Sequence, residues 1–423
     1  MKKIKRFLKS LGPGIITGAA DDDPSGIGTY SQTGAQFGFN QLWTAPFSYP
    51  FMTVIQEMCG RIGLVTGMGL SGVIRKHYAR KILYGAVLLL FIANTINIGA
   101  NLGAMASSAQ LLVGGIPFPL LLVGMTILTI LLEIFVPYPM YARFLKYLTF
   151  SLFAYVITVF FIKVDWGNVL TSTIFPTISF SNAYLLNIVA ILGTTISPYL
   201  FFWQADQEVE EEVASHKIQA MGKGVPKVTN GDIRRMRLDT MVGMFFSNLV
   251  MFFIIVTTAA TLNKNGITQV TTASQAAEAL LPFAGDFAFL LFTAGIIGTG
   301  LLAVPILAGS ASYALAETFG WRAGLSQKFK RAHAFYIVIA LATMGGLIVN
   351  LTPIEPFQML YYTAIVNGIM APPLMIMILL ISNKESIMGK HTNSLFSNIV
   401  GWMITVIMSG AALTLLISLL LPK

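Results

Sequence analysis

The chain has 423 residues, of which 55% are hydrophobic and 11% charged, and its mean hydropathy is +0.73. A soluble domain carries about 25% charged residues, so this chain takes lipid as its main solvent, which excludes a soluble enzyme or a nucleic-acid module. The net charge of +9 reflects where the basic residues fall, and the single cysteine, Cys59, excludes a disulfide framework and a cysteine-based metal cluster. His77, His216, His333 and His391 all lie beside basic segments, which argues against a histidine metal cluster.

In chain order, runs long enough to cross a bilayer occur at 11–33, 41–66, 82–110, 116–136, 146–163, 184–208, 238–262, 284–316, 333–350, 357–381 and 398–421. The first is basic in front but holds three aspartates and closes on no cleavage site, so it is not a signal peptide. Orientation follows from Lys and Arg. With the N-terminus inside, the cytoplasmic segments hold Lys2 to Lys9, Arg61 to Lys81, Arg143 and Lys146, Lys217 to Arg237, Arg322 to Arg331, and Lys384 with Lys390. Of the 27 basic residues only Lys163, Lys264 and Lys423 remain outside. The expectation is a multi-pass protein of the cell (inner) membrane with a cytoplasmic N-terminus and an external C-terminus. Its longest polar segments, 209–237 and 263–282, are too short for a separate domain, so 1–423 reads as one transmembrane domain.

Two spans are interrupted. The first contains Gly18-Ala-Ala-Asp21-Asp22-Asp23-Pro24-Ser25-Gly26-Ile-Gly28, and the sixth contains Gly193-Thr194-Thr195-Ile196-Ser197-Pro198-Tyr199. Each proline removes a helix donor and pushes the residue before it, Asp23 or Ser197, out of helical geometry. Broken backbone is tolerated at membrane depth only where protein or water lines the break. Span six lies five crossings after span one, so the broken segments run in opposite directions. That suits an inverted repeat of five plus five spans with an eleventh appended: 1–163 for spans one to five, 184–381 for six to ten, 398–421 for the last. Discontinuous helices at matching positions of two halves mark the midplane site of secondary transporters.

An ionised side chain at the bilayer centre costs at least about 2.5–3.5 kcal/mol, so Asp21, Asp22 and Asp23 are not idle. An N-cap cluster near the water interface is the plainer reading, but about ten residues of the span precede it. No basic residue in span one or six neutralises the acids, so a substrate cation is the natural counter-ion. Carboxylate, hydroxyl and carbonyl oxygens suit hard cations such as Mg²⁺, Ca²⁺ or Mn²⁺. Elsewhere, Glu57 and Arg61 form an i,i+4 ion pair. Asn94, Asn97 and Asn101 share one face of span three and either line the pore or bond a neighbouring helix. The run Asp206, Glu208, Glu210, Glu211 and Glu212 reads as a solvated helix end or as a vestibule that attracts cations, and Gln358 and Asn367 are outlying ligand candidates in span ten.

The stretches Gly12-Pro13-Gly14, Asp23-Pro24-Ser25-Gly26 and Gly34-Ala35-Gln36-Phe37-Gly38 resemble the first span of the Nramp family of divalent metal transporters, whose signature there is Asp-Pro-Gly-Asn. Gln56 with Arg61-Ile62-Gly63 resembles the family's second span, and Gly193 to Tyr199 falls where it carries Ala-Thr-Val-Met-Pro-His. The resemblance implies an all-α, LeuT-type fold with alternating access around broken helices one and six. It also implies that Asp23 is the metal-binding aspartate, that Gly26 replaces an asparagine ligand and Ser197 a methionine ligand, and that Thr194 supplies a backbone carbonyl. The family's acidic pair in span three, tied to proton movement, aligns with Asn97 and Ala100, and its histidine after the proline with Tyr199.

Loss of the thioether removes discrimination against hard cations, and small Gly26 and Ser197 leave room for water that Mg²⁺ gives up reluctantly. The pattern therefore resembles the Nramp-related magnesium transporters. The expected function is a non-enzymatic carrier of Mg²⁺ and Mn²⁺ with little or no proton coupling. It has no cofactor; the metal is its substrate, the lipid bilayer its surroundings, and nucleic acid is not a partner. The metal set is Asp23, Gly26, Thr194 and Ser197, with Asp21, Asp22, Asn97 and Gln358 as secondary candidates. Two alternatives stay open: a proton-coupled Mn²⁺/Fe²⁺ symporter using Asp21 or Asp22 for the proton, and a membrane metal sensor that does not transport.

Overall fold

The computed structural model describes residues 13–136, 149–327 and 329–420. Lys2 to Lys9, Arg143, Lys146, Lys328 and Lys423, on which part of the orientation argument rests, and Gly12 of the first resemblance motif lie outside the described residues.

The described chain is helical throughout. The helices are α1 (Pro13–Asp21), α2 (Pro24–Phe37), α3 (Thr44–Thr66), α4 (Leu70–His77), α5 (Arg80–Gln110), α6 (Phe118–Phe135), α7 (Phe153–Thr158), α8 (Trp166–Ile174) and α9 (Asn182–Thr195). They continue with α10 (Pro198–Ala214), α11 (Asn230–Thr261), α12 (Ala273–Glu278), α13 (Leu281–Ala284), α14 (Ala288–Phe319), α15 (His333–Val349), α16 (Pro356–Asn383), α17 (Glu385–Met388) and α18 (Leu395–Leu420). Local chemistry sets the ends. Thr229 and Asp232 form a capping box at the start of α11, and Gly67 ends α3 at φ 64, where a side chain would be strained.

Among the described residues, 7 segments are long and apolar enough to cross a membrane alone: Arg80–Gln110, Phe118–Phe135, Asn182–Ala214, Asn230–Asn265, Leu281–Phe319, Pro356–Asn383 and Leu395–Ser418. The four other expected spans fall short for identifiable reasons. The run 11–33, described from residue 13, carries Asp21, Asp22 and Asp23 at its break; 41–66 corresponds to α3, which carries Glu57 and Arg61; 146–163 is described only from residue 149; and 333–350 gives a helix of 17 residues. Two boundaries are corrected. Span six runs on to Ala214 and span seven begins at Asn230, so helix fills much of the expected polar connection 209–237.

The second halves of the two broken helices pack as a five-plus-five repeat would have them. In a five-plus-five repeat, span one corresponds to six and span two to seven. The second half of the first broken helix, α2, packs on α11, and the second half of the other, α10, packs on α3. Equivalent spans three and eight, α5 and α14, pack on each other. Burial separates centre from rim: 83% of the apolar stretch of the span containing α9 and α10 is enclosed by protein, against 22% of α6. Leu120, Ile127 and Leu131 of α6 face outward, as a lipid-facing helix requires. At the centre, α1 lies directly on α11. A methyl on Gly14 would stand 2.6 Å from the Thr240 nitrogen, and one on Gly18 2.8 Å from Gly243 Cα. Small residues at such crossings let backbones touch, a standard device of membrane helix packing.

Candidate metal-binding site

The two breaks meet at the core of the bundle. In the first, Asp23 is extended (φ −68, ψ 170) and Pro24 opens α2 without an N–H to satisfy. Asp23 caps that helix: Oδ1 accepts the Gly26 N–H at 2.9 Å and the Ser25 hydroxyl at 2.6 Å, while Oδ2 accepts the Asn101 amide at 3.0 Å. The capping geometry is thus real, but the carboxylate is 1% exposed and enclosed by protein, not at a water interface.

In the second break, α9 stops at Thr195, Ser197 is extended (φ −81, ψ 132) and Pro198 opens α10. The Ser197 hydroxyl turns back on α9 and donates to the carbonyls of Gly193 at 2.9 Å and Thr194 at 2.7 Å. Ser25 and Thr194 face each other across the breaks with their hydroxyl oxygens 3.4 Å apart. Gly26 leaves the gap between them: a methyl there would lie 3.1 Å from the Asp21 carbonyl, 3.3 Å from the Tyr30 ring and 3.5 Å from Thr194 Oγ1. Tyr199 links the halves by donating to the Ala20 carbonyl at 2.9 Å, which satisfies one of the carbonyls orphaned at the end of α1.

Asp23, Gly26 and Thr194 therefore converge, and Ser197 lies one turn beyond Thr194 with its hydroxyl committed to that turn. Asp21 and Asp22 turn to α11, where the Ser247 hydroxyl donates to Asp21 at 2.6 Å and lies 3.2 Å from Asp22; one Asp21 oxygen keeps no partner. Asn97 sits one turn from Asn101 and accepts from Thr363 at 3.3 Å, with its amide nitrogen unpartnered. Gln358 is half-buried and donates to Tyr362 at 3.0 Å; no described hydrogen bond ties it to Asp23. Asn94 bonds Leu307 and Ser310 of α14, so the three asparagines of α5 divide between packing and the site.

Asn101, Ser25 and Ser247 were not singled out as site residues from the sequence. Asn101 had a weak signal, its position on the asparagine face of α5; Ser247 had none, being one hydroxyl in an apolar helix. A thioether also approaches: a methyl on Gly300 would meet Met105 Sδ at 2.5 Å and Pro24 Cγ at 3.4 Å, which places the sulfur near the proline ring. Among the described residues no three His, Cys, Asp or Glu side chains gather closely enough to hold a metal together. The centre offers the Asp23 carboxylate and neutral oxygens, with the Met105 sulfur beside the Pro24 ring.

The expected solvated acidic end of span six is corrected. Asp206, Glu208 and Glu212 are buried, because the helix continues inside the protein. There Gln204 donates to Glu208 at 3.0 Å, and Tyr313 and Ser326 donate to Glu210 at 3.0 and 2.7 Å. The Glu57–Arg61 pair is present at 3.0 Å and is joined by Arg237 at 2.8 Å.

The chain aligns with curated proteins over nearly its whole length. It is 23% identical over 416 residues to the divalent metal cation transporter MntH of Klebsiella pneumoniae, covering 96% of this chain and 92% of that protein. The MntH of Yersinia pestis is 24% identical over 432 residues, covering 99% and 97%. Among solved structures, the manganese transporter of Eremococcus coleocola superposes with a TM-score of 0.74 at 16% identity, covering 97% of this chain and 86% of that one. The inward-facing conformation of Mhp1 gives 0.57 at 15% identity, covering 96% and 91%. These structural likenesses establish the LeuT-type fold. The model of the natural resistance-associated macrophage protein-like (Nramp) family matches residues 14–418, and the chain belongs to that family.

Proposed function

We propose that the chain is a secondary transporter carrying hard divalent cations, Mg²⁺ and Mn²⁺, by alternating access around the two breaks, with little or no coupling to protons. Family membership and the divalent-metal relatives support the transport of a divalent metal. The observation that carries the finer reading is the donor set at the breaks: the Asp23 carboxylate linked through the Ser25 hydroxyl to the Thr194 hydroxyl, beside the space left by Gly26, with Ser197 at the second proline donating to the Thr194 carbonyl that the resemblance put forward as the ligand. A single carboxylate among neutral oxygens suits a cation that keeps part of its water, as Mg²⁺ does.

Asp23, Gly26, Thr194 and Ser197 form the binding set in this reading. Asn101 orients the carboxylate through its bond to Oδ2, and Asp21 and Asp22 supply charge on the approach. Alternating access follows from the same geometry. Asp23, Thr194 and Ser197 are each 1% exposed, so the site is shut from both sides, and α1 and α9 are half-helices hinged at extended residues. Side-chain bonds that hold α1 include Thr17 to Gln204 at 2.6 Å, the Gly14 N–H to Asp239, Tyr199 to the Ala20 carbonyl, and Ser247 to Asp21. Weak proton coupling rests on Asn97 in span three and Tyr199 after the proline, neither of which exchanges a proton near neutral pH.

The experiment is uptake into proteoliposomes. The reading expects Mg²⁺ and Mn²⁺ to enter wild-type vesicles with internal pH constant, and neither to enter with Asp23→Ala.

A further inference from the structure

At the end of the molecule where α1 begins, a cleft of about 430 Å³ opens between Pro13 of α1, the end of α3, the last turns of α10 and the first turns of α11. Five acids line it, Glu208, Glu211, Glu212, Asp232 and Asp239, against two basic residues, Lys217 and Arg235. Lys217 is held by Asp232 at 2.9 Å. Glu212 is 2% exposed, and neither of its carboxylate oxygens has a hydrogen-bond partner. Lys217 is close enough to act on Glu212 electrostatically but donates to Asp232 instead, and a buried carboxylate with no donor on either oxygen is costly, so its oxygens are left to face what enters the cleft.

We infer that this cleft is a second cation site, taking a hydrated divalent cation with Glu212 as its principal ligand and Glu208 beside it. The inference rests on the reading of the chain as a divalent-cation carrier and adds a station to it. The donors are oxygens alone, which favours a hard cation over a soft one. The volume holds an ion with its first shell of waters, each occupying ~30 Å³, and one or two carboxylates with several waters is the usual way Mg²⁺ is held.

The cleft connects to the broken helices. Glu208 accepts from Gln204 at 3.0 Å, and Gln204 accepts from Thr17 at 2.6 Å, one turn before Asp21. Asp239 accepts the Gly14 N–H at 2.6 Å. The acids of the cleft thus grip the half-helix α1, whose release would open the central site to this end. Glu212 lies 15 residues beyond Ser197, about 22 Å along the helix axis at 1.5 Å per residue. That is too far for one ion to bridge, so the cleft would hold a separate ion met on entry or exit.

The test counts bound Mn²⁺ by electron paramagnetic resonance on the full chain in nanodiscs. Wild type is expected to bind two equivalents. Glu212→Gln should lose one and keep the one that Asp23→Asn removes. Glu211→Lys, which places a positive charge at an exposed position on the rim, should weaken the same equivalent without touching a buried side chain. Retention of both equivalents in Glu212→Gln and in Glu211→Lys overturns the cleft site. The carrier reading is tested separately by Mn²⁺ uptake: if Asp23→Asn transports normally while Glu212→Gln still loses an equivalent, the central-site assignment fails and the cleft stands.

Discussion

The carboxylate of Asp23 receives a backbone N–H, a hydroxyl and an amide, so it is positioned as well as charged. Asp23→Asn keeps the size, removes the charge and turns one acceptor into a donor facing the Ser25 hydroxyl or the Asn101 amide. We expect uptake of both metals to fall to background while the protein still folds, checked by flux alongside thermal unfolding. Ser197→Met restores a thioether and should shift preference toward Mn²⁺ over Mg²⁺, since soft ligands favour the transition metal; a competition assay reads that ratio. Met105→Leu is the complementary case. If the sulfur only packs near the Pro24 ring, the Mn²⁺/Mg²⁺ ratio stays unchanged, whereas a selective loss of Mn²⁺ uptake would identify Met105 as a ligand. At this scale the sequence marked the two breaks and the charge on Asp23, because a proline among acids or hydroxyls inside an apolar run interrupts a helix; Gly26 and Thr194 were put forward only through the family resemblance. It was silent on Ser247, since a serine on an apolar helix carries no mark of what it faces. It misplaced Asp206, Glu208 and Glu212, because composition shows that a segment is polar and not whether protein surrounds it.

Among whole elements, the ion pair in α3 ties three parts of the bundle together. Arg61 is 1% exposed and bonds Glu57, the His391 carbonyl and Asn393, while Glu57 also accepts from Arg237 of α11. Glu57→Gln strands a buried guanidinium, and breaking a buried pair by removing one partner costs about 3–5 kcal/mol. We expect a clear drop in melting temperature that Asp at position 57 does not rescue, because its shorter side chain cannot reach both arginines. The i,i+4 spacing made the Glu57–Arg61 pair legible; Arg237 and Asn393, 180 and 332 residues from their partners, were not. The α1–α11 contact gives a second test. A methyl on Gly243 would lie 2.7 Å from the Gly14 carbonyl carbon. Gly243→Ala should therefore cost ~1–3 kcal/mol through overpacking and push α1 away from α11, seen as faster labelling of a cysteine placed at Thr17.

For the molecule as a whole, the order of apolar runs and the position of the two breaks were enough to anticipate a five-plus-five architecture. The reciprocal packing of α2 on α11 and α10 on α3 follows from that symmetry. Exact lengths were not legible, because helices that pack on protein can extend through acidic residues that would end a helix facing lipid. Orientation rests on the distribution of Lys and Arg, and labelling a cysteine at Lys223 and one at Lys264 from a single side, in a Cys59→Ser background, should reach only one of them. The central claim is that an oxygen-rich site around Asp23 carries hard divalent cations without moving protons. Its most direct test is simultaneous recording of metal entry and internal pH in proteoliposomes, with Asp23→Ala as control. Entry of Mg²⁺ and Mn²⁺ at constant pH, abolished in the variant, is the predicted result. Entry of Mn²⁺ with acidification and without Mg²⁺ would contradict it and place the chain among the proton-coupled manganese and iron symporters.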